Sequence, residues 1–226
     1  MAGLATESAM LGWHGLDGDR RFAFRRIADE GGFPWLSASK LPELLLYQPI
    51  GAEESSGESL PTHVRTPNGS QLELGGAELN AEIGNRFGSN VELMQLKHGI
   101  FDEATISVIS LATIAHIGRE AGIQNDLDRR RFRMNLEIET VSDEPFFEDR
   151  WVGRTLLFGD NDATDPAIHI TMPDLRCVML NLDPDTAAKD ARVMKTVARL
   201  NQNNAGVYAT VVSTGVISIG DRVSLV

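Results

Sequence analysis

A single cysteine, Cys177, stands in the whole chain of 226 residues. One thiol cannot close an intramolecular disulfide, and it cannot build a multi-cysteine zinc or iron–sulfur site. Any metal held through Cys177 therefore takes its other ligands from a cofactor, from water or from other residue types. Long hydrophobic runs are also missing, since no stretch approaches the roughly 18 consecutive apolar residues of a membrane-spanning helix. The opening residues, MAGLATESAM, have neither the basic start nor the apolar core of a secretory signal, which makes the cytoplasm the expected location. Positive charge is in deficit, with 21 Lys and Arg against 32 Asp and Glu and a net charge of −11. That balance speaks against nucleic acid or a membrane surface as the partner. Five histidines stand in five separate segments without metal-ligand spacing, and no G-x-S-x-G elbow is present.

What is there reads as a soluble globular protein with a sizeable core, 42% hydrophobic and 23% charged. GWHGLDGDRR (12–21) reads as a turn, and RFAFRRIA after it alternates as a short strand. Ser39 is placed to cap a helix through LPELLLY, with Pro42 in its first turn. GAEESSGES reads as a loop, and Asn68-Gly69 as a hairpin turn with positive φ angles. AELNAEIGNRF reads as a helix, VELMQL as a strand and TISVIS as a buried strand. Ser110 then caps the helix LATIAHIGREA, which Gly122 ends. The following segments, RRRFRMNLEIE, EDRWVGRTLLFG, AIHITM and RCVMLNLD, are short, apolar or alternating, and bounded by Asp, Pro or Gly, as in a barrel or sandwich. One more helix, from about residue 188 to 201, precedes VYATVVSTG and VISIGDRVSLV. The expected class is mainly β with inserted helices, an α+β fold.

Taken alone, Cys177 reads first as a small core hydrophobe, the usual fate of a free cysteine. Two features point the other way. Arg176 is adjacent and suited to holding an anion, although strand alternation directs neighbours to opposite faces. The segment also ends in DPDT, a turn, which brings Cys177 near a rim where a thiolate would be a soft-metal ligand or nucleophile. Two basic clusters interrupt the acidic background, at 19–26 (DRRFAFRR) and 128–133 (DRRRFR). They read either as solvated faces or as anion-recognition elements, because the planar guanidinium binds phosphate in bidentate fashion.

The order of seven segments carries more than any one of them. GLDGDRRFAF, FPWLSASKLPELLLYQP, FDEATISVISLATI, RRFRMNLEIE, EDRWVGRTLLFGD, LRCVMLNLDPDT and GVISIGDRVSL together resemble the MOSC family, named for the C-terminal domain of molybdenum cofactor sulfurases. The resemblance is nearest to the branch of the mitochondrial amidoxime reducing component. It implies a MOSC-type β-barrel preceded by a β-rich subdomain, here 1–96 for the N-terminal region and 97–226 for the MOSC domain. It implies a bound molybdenum cofactor (molybdopterin) with Cys177, in the context R-C-x-x-x-x-x-D-P-x-T, as the metal ligand and catalytic residue. Cofactor contacts carried over are Arg20 and Arg21 at the G-D-R motif, Thr105 and Ser107, then Phe132, Arg133 and Asn135 at the F-R-P-N segment, and Arg176.

Three departures accompany these matches. Met134 replaces the proline of F-R-P-N, Ala187 replaces a glycine after D-P-x-T, and the family's first strand with its P-x-K-[SG] element has no counterpart ahead of G-D-R. The implied activity is reduction of N-hydroxylated, amidoxime-like small molecules. With one cysteine and no iron–sulfur cluster, the electrons would come from an external donor protein of ferredoxin, flavoprotein or cytochrome type. The rival reading is a non-catalytic carrier of cofactor or sulfur. Pyridoxal phosphate is not expected on this chain alone.

Overall fold

The computed structural model describes residues 1–226 apart from 30, 56–57, 100–102, 161 and 163, and for 52–55 and 58–59 it describes the main chain only. In chain order the strands are β1 (Ser8–Gly12), β2 (Gly15–Leu16), β3 (Phe22–Arg26), β4 (Gln48–Ser55), β5 (Glu58–Arg65), β6 (Gln71–Glu73), β7 (Val91–Gln95), β8 (Ile106–Ser110), β9 (Leu136–Ile138), β10 (Thr155–Phe158), β11 (Ala167–Leu175), β12 (Asn204–Ser213), β13 (Gly215–Ser218) and β14 (Val223–Leu225). The α-helices among the described residues are α1 (Ala77–Phe87), α2 (Leu111–Glu120) and α3 (Arg192–Asn201). None of these helices is long and apolar enough to cross a membrane. The protein is thus mainly β with inserted helices, as expected.

The chain forms two compact units that interleave along the sequence. One comprises 1–4, 18–100 and 182–188, and the other comprises 5–17, 101–181 and 189–226.

In the first unit β4, β5 and β6 form an antiparallel sheet, and β3 pairs with β7. Helix α1 buries Leu79 and Ile83 at i, i+4 spacing, which puts both on one face. Asn80 Oδ1 on that helix accepts a hydrogen bond from Leu93 N of β7 at 2.8 Å. Tyr47, wholly buried, donates its hydroxyl to Glu82 Oε1 at 2.8 Å, and Arg86 Nε donates to the same oxygen at 2.9 Å. Burial, first, and the Glu82 hydrogen bond push the phenol well above its ordinary value.

The larger unit is built on a six-stranded sheet in the order β14-β10-β11-β12-β8-β9, antiparallel except for β8 and β9. A second sheet, β13-β1-β2, contributes Leu11 and Ile217 to a core with Ile106, Val108, Leu156, Ile168, Ile170 and Val207. A separate core gathers Ile109, Ile114, Ile117, Phe132, Leu180, Val193, Val197 and Ala205 around α2 and α3. Alternation explains the division in β8, where Ile106 and Val108 face the first core and Ile109 faces the second. β12 breaks the rule: Ala205 and Val207 sit two apart yet bury in different cores. Between them Gly206 has φ +87, and the β11–β12 register shifts opposite it between Pro173 and Leu175. This is a bulge, which re-aims the strand ends next to Cys177.

Several local expectations need correction. Ser39 does not cap a helix: its Oγ shares a hydrogen bond with Ser37 Oγ at 2.7 Å, and Pro42–Leu46 is a single short 3₁₀ stretch. GAEESSGES is not all loop, because β4 runs to Ser55 and β5 starts at Glu58, while 56–57 lie outside the described residues. A ladder is made of main-chain hydrogen bonds, which polar side chains do not forbid. In the next hairpin only Gly69 of the Asn68-Gly69 pair takes a positive φ, +89. RRRFRM is a 3₁₀ turn (Arg129–Phe132) opened by Asp128, whose Oδ1 accepts from Arg130 N at 2.9 Å, and only Leu136–Ile138 is strand. Likewise RCVMLNLD is not a strand: β11 ends at Leu175 and Val178–Asn181 forms a 3₁₀ turn.

Candidate functional site

Cys177 stands between the end of β11 and the turn Val178–Asn181, and it is exposed. Its carbonyl accepts from Leu180 N at 3.3 Å, and Leu180, fully buried, plugs the turn into the core that also holds Phe132. The thiol therefore sits on an anchored rim, and the reading of Cys177 as a core hydrophobe is overturned.

Arg176 is not the free anion fork that its place beside Cys177 suggests. Its Nη1 donates to Asp174 Oδ2 and lies 3.4 Å from Met134 Sδ, while Nη2 donates to the Phe132 carbonyl. The main-chain N of Arg176 donates to Asn203 O at 2.8 Å. Asp174, only 1% exposed, is thereby matched with a cation, without which burying it would be costly.

The segment 132–135 is pinned at both ends. Phe132 is a core side chain, wholly buried, so it meets its surroundings through its carbonyl rather than by lining a pocket. At the other end Asn135 and Ser107 form a reciprocal clip. Ser107 N and Oγ each donate to Asn135 Oδ1 at 3.0 Å, and Asn135 N donates back to Ser107 O and Oγ at 3.1 and 3.2 Å. Between these pins Arg133 is exposed and left-handed, with φ 53. Thr105, at the entry to β8, has a buried Oγ1 with no hydrogen-bond partner.

Arg20 and Arg21 belong to the other unit. Arg21 Nε donates to Leu96 O at 2.6 Å, closing the β3–β7 pair, and Arg20, at φ 50, lies 3.8 Å from Asp19. DPDT is a turn as expected: Asp183 Oδ1 accepts from Asp185 N, Thr186 N and Thr186 Oγ1 at 3.1, 3.0 and 2.9 Å. Ala187, standing for the family's glycine, has φ 58, a region where glycine carries no Cβ penalty.

Three features of the larger unit were not read from the sequence. Asp174 carried a weak signal, an acid two residues before an arginine within an apolar strand. The packing of Met134 over Gly206 carried none, because the residues are far apart in the chain. Glu148 is the third: fully buried in the 3₁₀ turn Phe147–Trp151, it accepts from Ser110 N at 3.3 Å and from Thr113 Oγ1 at 2.9 Å, at the start of α2. Burial, first, raises its carboxyl above the ordinary glutamate range, against the pull of these hydrogen bonds. Across the window between the ordinary and the raised value, the folded chain binds the extra proton. The contribution of Glu148 to stability is then fully present below the ordinary value and is lost as pH rises through the raised one. Glu148→Gln is expected to flatten that fall, read as denaturation midpoints of the two proteins against pH. An unchanged pH slope would show that Glu148 does not titrate in this window.

Among the described residues, no group of three or more His, Cys, Asp and Glu side chains could hold a metal ion. A metal on Cys177 therefore needs donors that arrive with it. An open cleft of about 370 Å³, lined by Leu111, Ile114, Ala115, Asp126, Leu127, Asp128 and Arg129, contains none of the residues discussed for cofactor contact.

A family model described as MOSC domain matches residues 95–224. No curated protein matches the chain at a significant level. Among solved structures, the chain is similar to the YuaD protein from Bacillus subtilis, 13% identical over 97% of this chain and 85% of that one, with a TM-score of 0.48. It is also similar to YiiM from Geobacillus stearothermophilus, 17% identical over 54% of each chain, with a TM-score of 0.39.

Proposed function

The chain belongs to the MOSC domain family, and on that premise we propose that it binds a molybdenum cofactor through Cys177 and reduces N-hydroxylated, amidoxime-like small molecules. The observation that carries the reading is the exposure of the only thiol. Free cysteine is among the most buried residue types, and here it is held at a rim by a buried leucine and by an arginine whose Nη atoms are both engaged.

The residues present suit such a group. A single thiolate is a soft ligand, and a pterin dithiolene brings its own sulfurs, so one protein cysteine suffices for a sulfur-rich donor set. Thr105 Oγ1, buried and unpartnered, is a hydroxyl available to a polar ligand atom. Arg133 is an exposed residue on a pinned segment. Ser107, Asn135, Phe132 and Arg176 act by holding the segments in place, since they already engage one another, Asp174 or Met134, while Arg176 Nε is buried without a partner. When bound, the cofactor would supply the two-electron redox change.

The overall reaction consumes two electrons and two protons per N-hydroxyl group and releases water. The electrons are supplied by an external donor protein, because one cysteine cannot hold an iron–sulfur cluster. The chain's residues bind the cofactor, keep the thiol facing outward and leave the small-molecule substrate an open approach.

The test is metal analysis of protein from a cofactor-competent host, followed by turnover of a model amidoxime with an artificial electron donor. Molybdenum near one per chain together with turnover is the expected result. Bound molybdenum without turnover would instead assign the chain as a carrier of cofactor or sulfur, and absence of molybdenum would overturn both.

A further inference from the structure

We propose that Asp174 is a positioning residue for Cys177, acting through the guanidinium of Arg176; its functional meaning rests on Cys177 serving as the cofactor's ligand. Asp174 sits one residue from the end of β11 and is 1% exposed. A carboxylate so placed has to be matched, and its partner is Arg176 Nη1. The same planar group spends its other amine on the Phe132 carbonyl, one of the acceptors left over at the end of the 3₁₀ turn Arg129–Phe132. Nη1 also touches Met134 Sδ at 3.4 Å. One fork thus joins the end of β11 to residues on either side of Arg133.

The consequence for the site follows from adjacency. Cys177 follows Arg176 directly, and Arg133 follows Phe132 directly. Fixing the fork fixes two main-chain points, one beside the exposed Cys177 and one beside the exposed residue Arg133. Asp174 orients the fork because its carboxylate neutralises the cation where water is scarce, the Arg176 side chain being 12% exposed. Lysine would keep the charge and lose the geometry, since a point charge on a flexible stem cannot bridge a carboxylate and a carbonyl in one plane. Arg176 is then a strut rather than a phosphate ligand, and Asp174 sets its angle.

The chain's only cysteine allows a direct reading. A thiol-specific nitroxide attached to Cys177 in cofactor-free protein reports the order of the main chain at that position. In Asp174→Asn and in Arg176→Lys the immobilised component of the spectrum is expected to be lost, at a temperature where circular dichroism shows full folding. The double variant Asp174→Asn/Arg176→Lys is expected to add nothing further, as for two residues acting as a unit. Should a single variant fail to fold, Asp174→Asn/Arg176→Gln removes both charges and leaves no buried ion uncompensated, and it is expected to show the same loss. A purely structural role would lower the unfolding midpoint while leaving the spectrum of the folded fraction unchanged. An unchanged spectrum in folded variants would overturn the proposal. The label does not depend on bound metal, so this outcome stands apart from the metal analysis of the wild type.

Discussion

Cys177→Ser is expected to lose molybdenum and amidoxime reduction together, with the fold intact. Serine keeps the size and removes the chemistry: its hydroxyl stays protonated near neutral pH and is a hard donor, whereas a thiolate is the soft ligand that molybdenum in a sulfur-rich environment takes. There is no second cysteine, and the described residues hold no group of three metal-binding side chains. Because Cys177 is exposed, the exchange is expected to change stability by less than about 0.5 kcal/mol. Elemental analysis per folded chain and initial rates with an artificial donor measure both effects. Equal molybdenum content and equal turnover in the variant would remove Cys177 from the role proposed for it.

Gly206→Ala is expected to produce the largest loss of stability, about 2–5 kcal/mol, from two costs that add. The first is conformational: at φ +87 any L side chain is strained, by roughly 1–2 kcal/mol. The second is steric. A Cβ here would lie 2.4 Å from Met134 Cε and 2.6 Å from the Val108 carbonyl oxygen. The methionine end can swing away, but Val108 is in the β8–β12 ladder and cannot retreat without breaking the pairing with Val207. Overpacking of this kind costs roughly 1–3 kcal/mol. The measurement is a urea titration, in which the midpoint falls and the slope is kept. A loss below about 1 kcal/mol would mean that the bulge relaxes at little cost, against the strain argued here. Moving Met134 also disturbs a contact of Arg176, so cofactor retention in folded Gly206→Ala is expected to fall as well.

Much of the architecture was legible because it depends on local pattern. AELNAEIGNRF spaces Leu79 and Ile83 for one helical face and became α1 with the expected bounds, and Ser110 caps α2 by accepting from Thr113 N at 3.1 Å. Segments were misread where chain polarity and backbone geometry part company. The polar flanks of residues 56–57 form a ladder because strands need main-chain partners, not apolar side chains. RCVMLN looks like a strand by hydrophobicity, yet the structure folds it into a 3₁₀ turn whose anchor, Leu180, is buried in a core with residues as far off in the chain as Ile109 and Ala205.

The sequence by itself determined the donor arithmetic. One cysteine, an acidic balance and a segment order shared with a known family limit what Cys177 could do without partners from outside the chain. Only the tertiary structure decided which of its neighbours are engaged with one another. Arg176 and Phe132 read as cofactor contacts in one dimension, and in three they belong to a clamp closed by Asp174. The physical reason is that a guanidinium's role depends on where its carboxylate and carbonyl partners lie. Here the Phe132 carbonyl is 44 residues from Arg176 in the chain and within hydrogen-bonding reach in the fold.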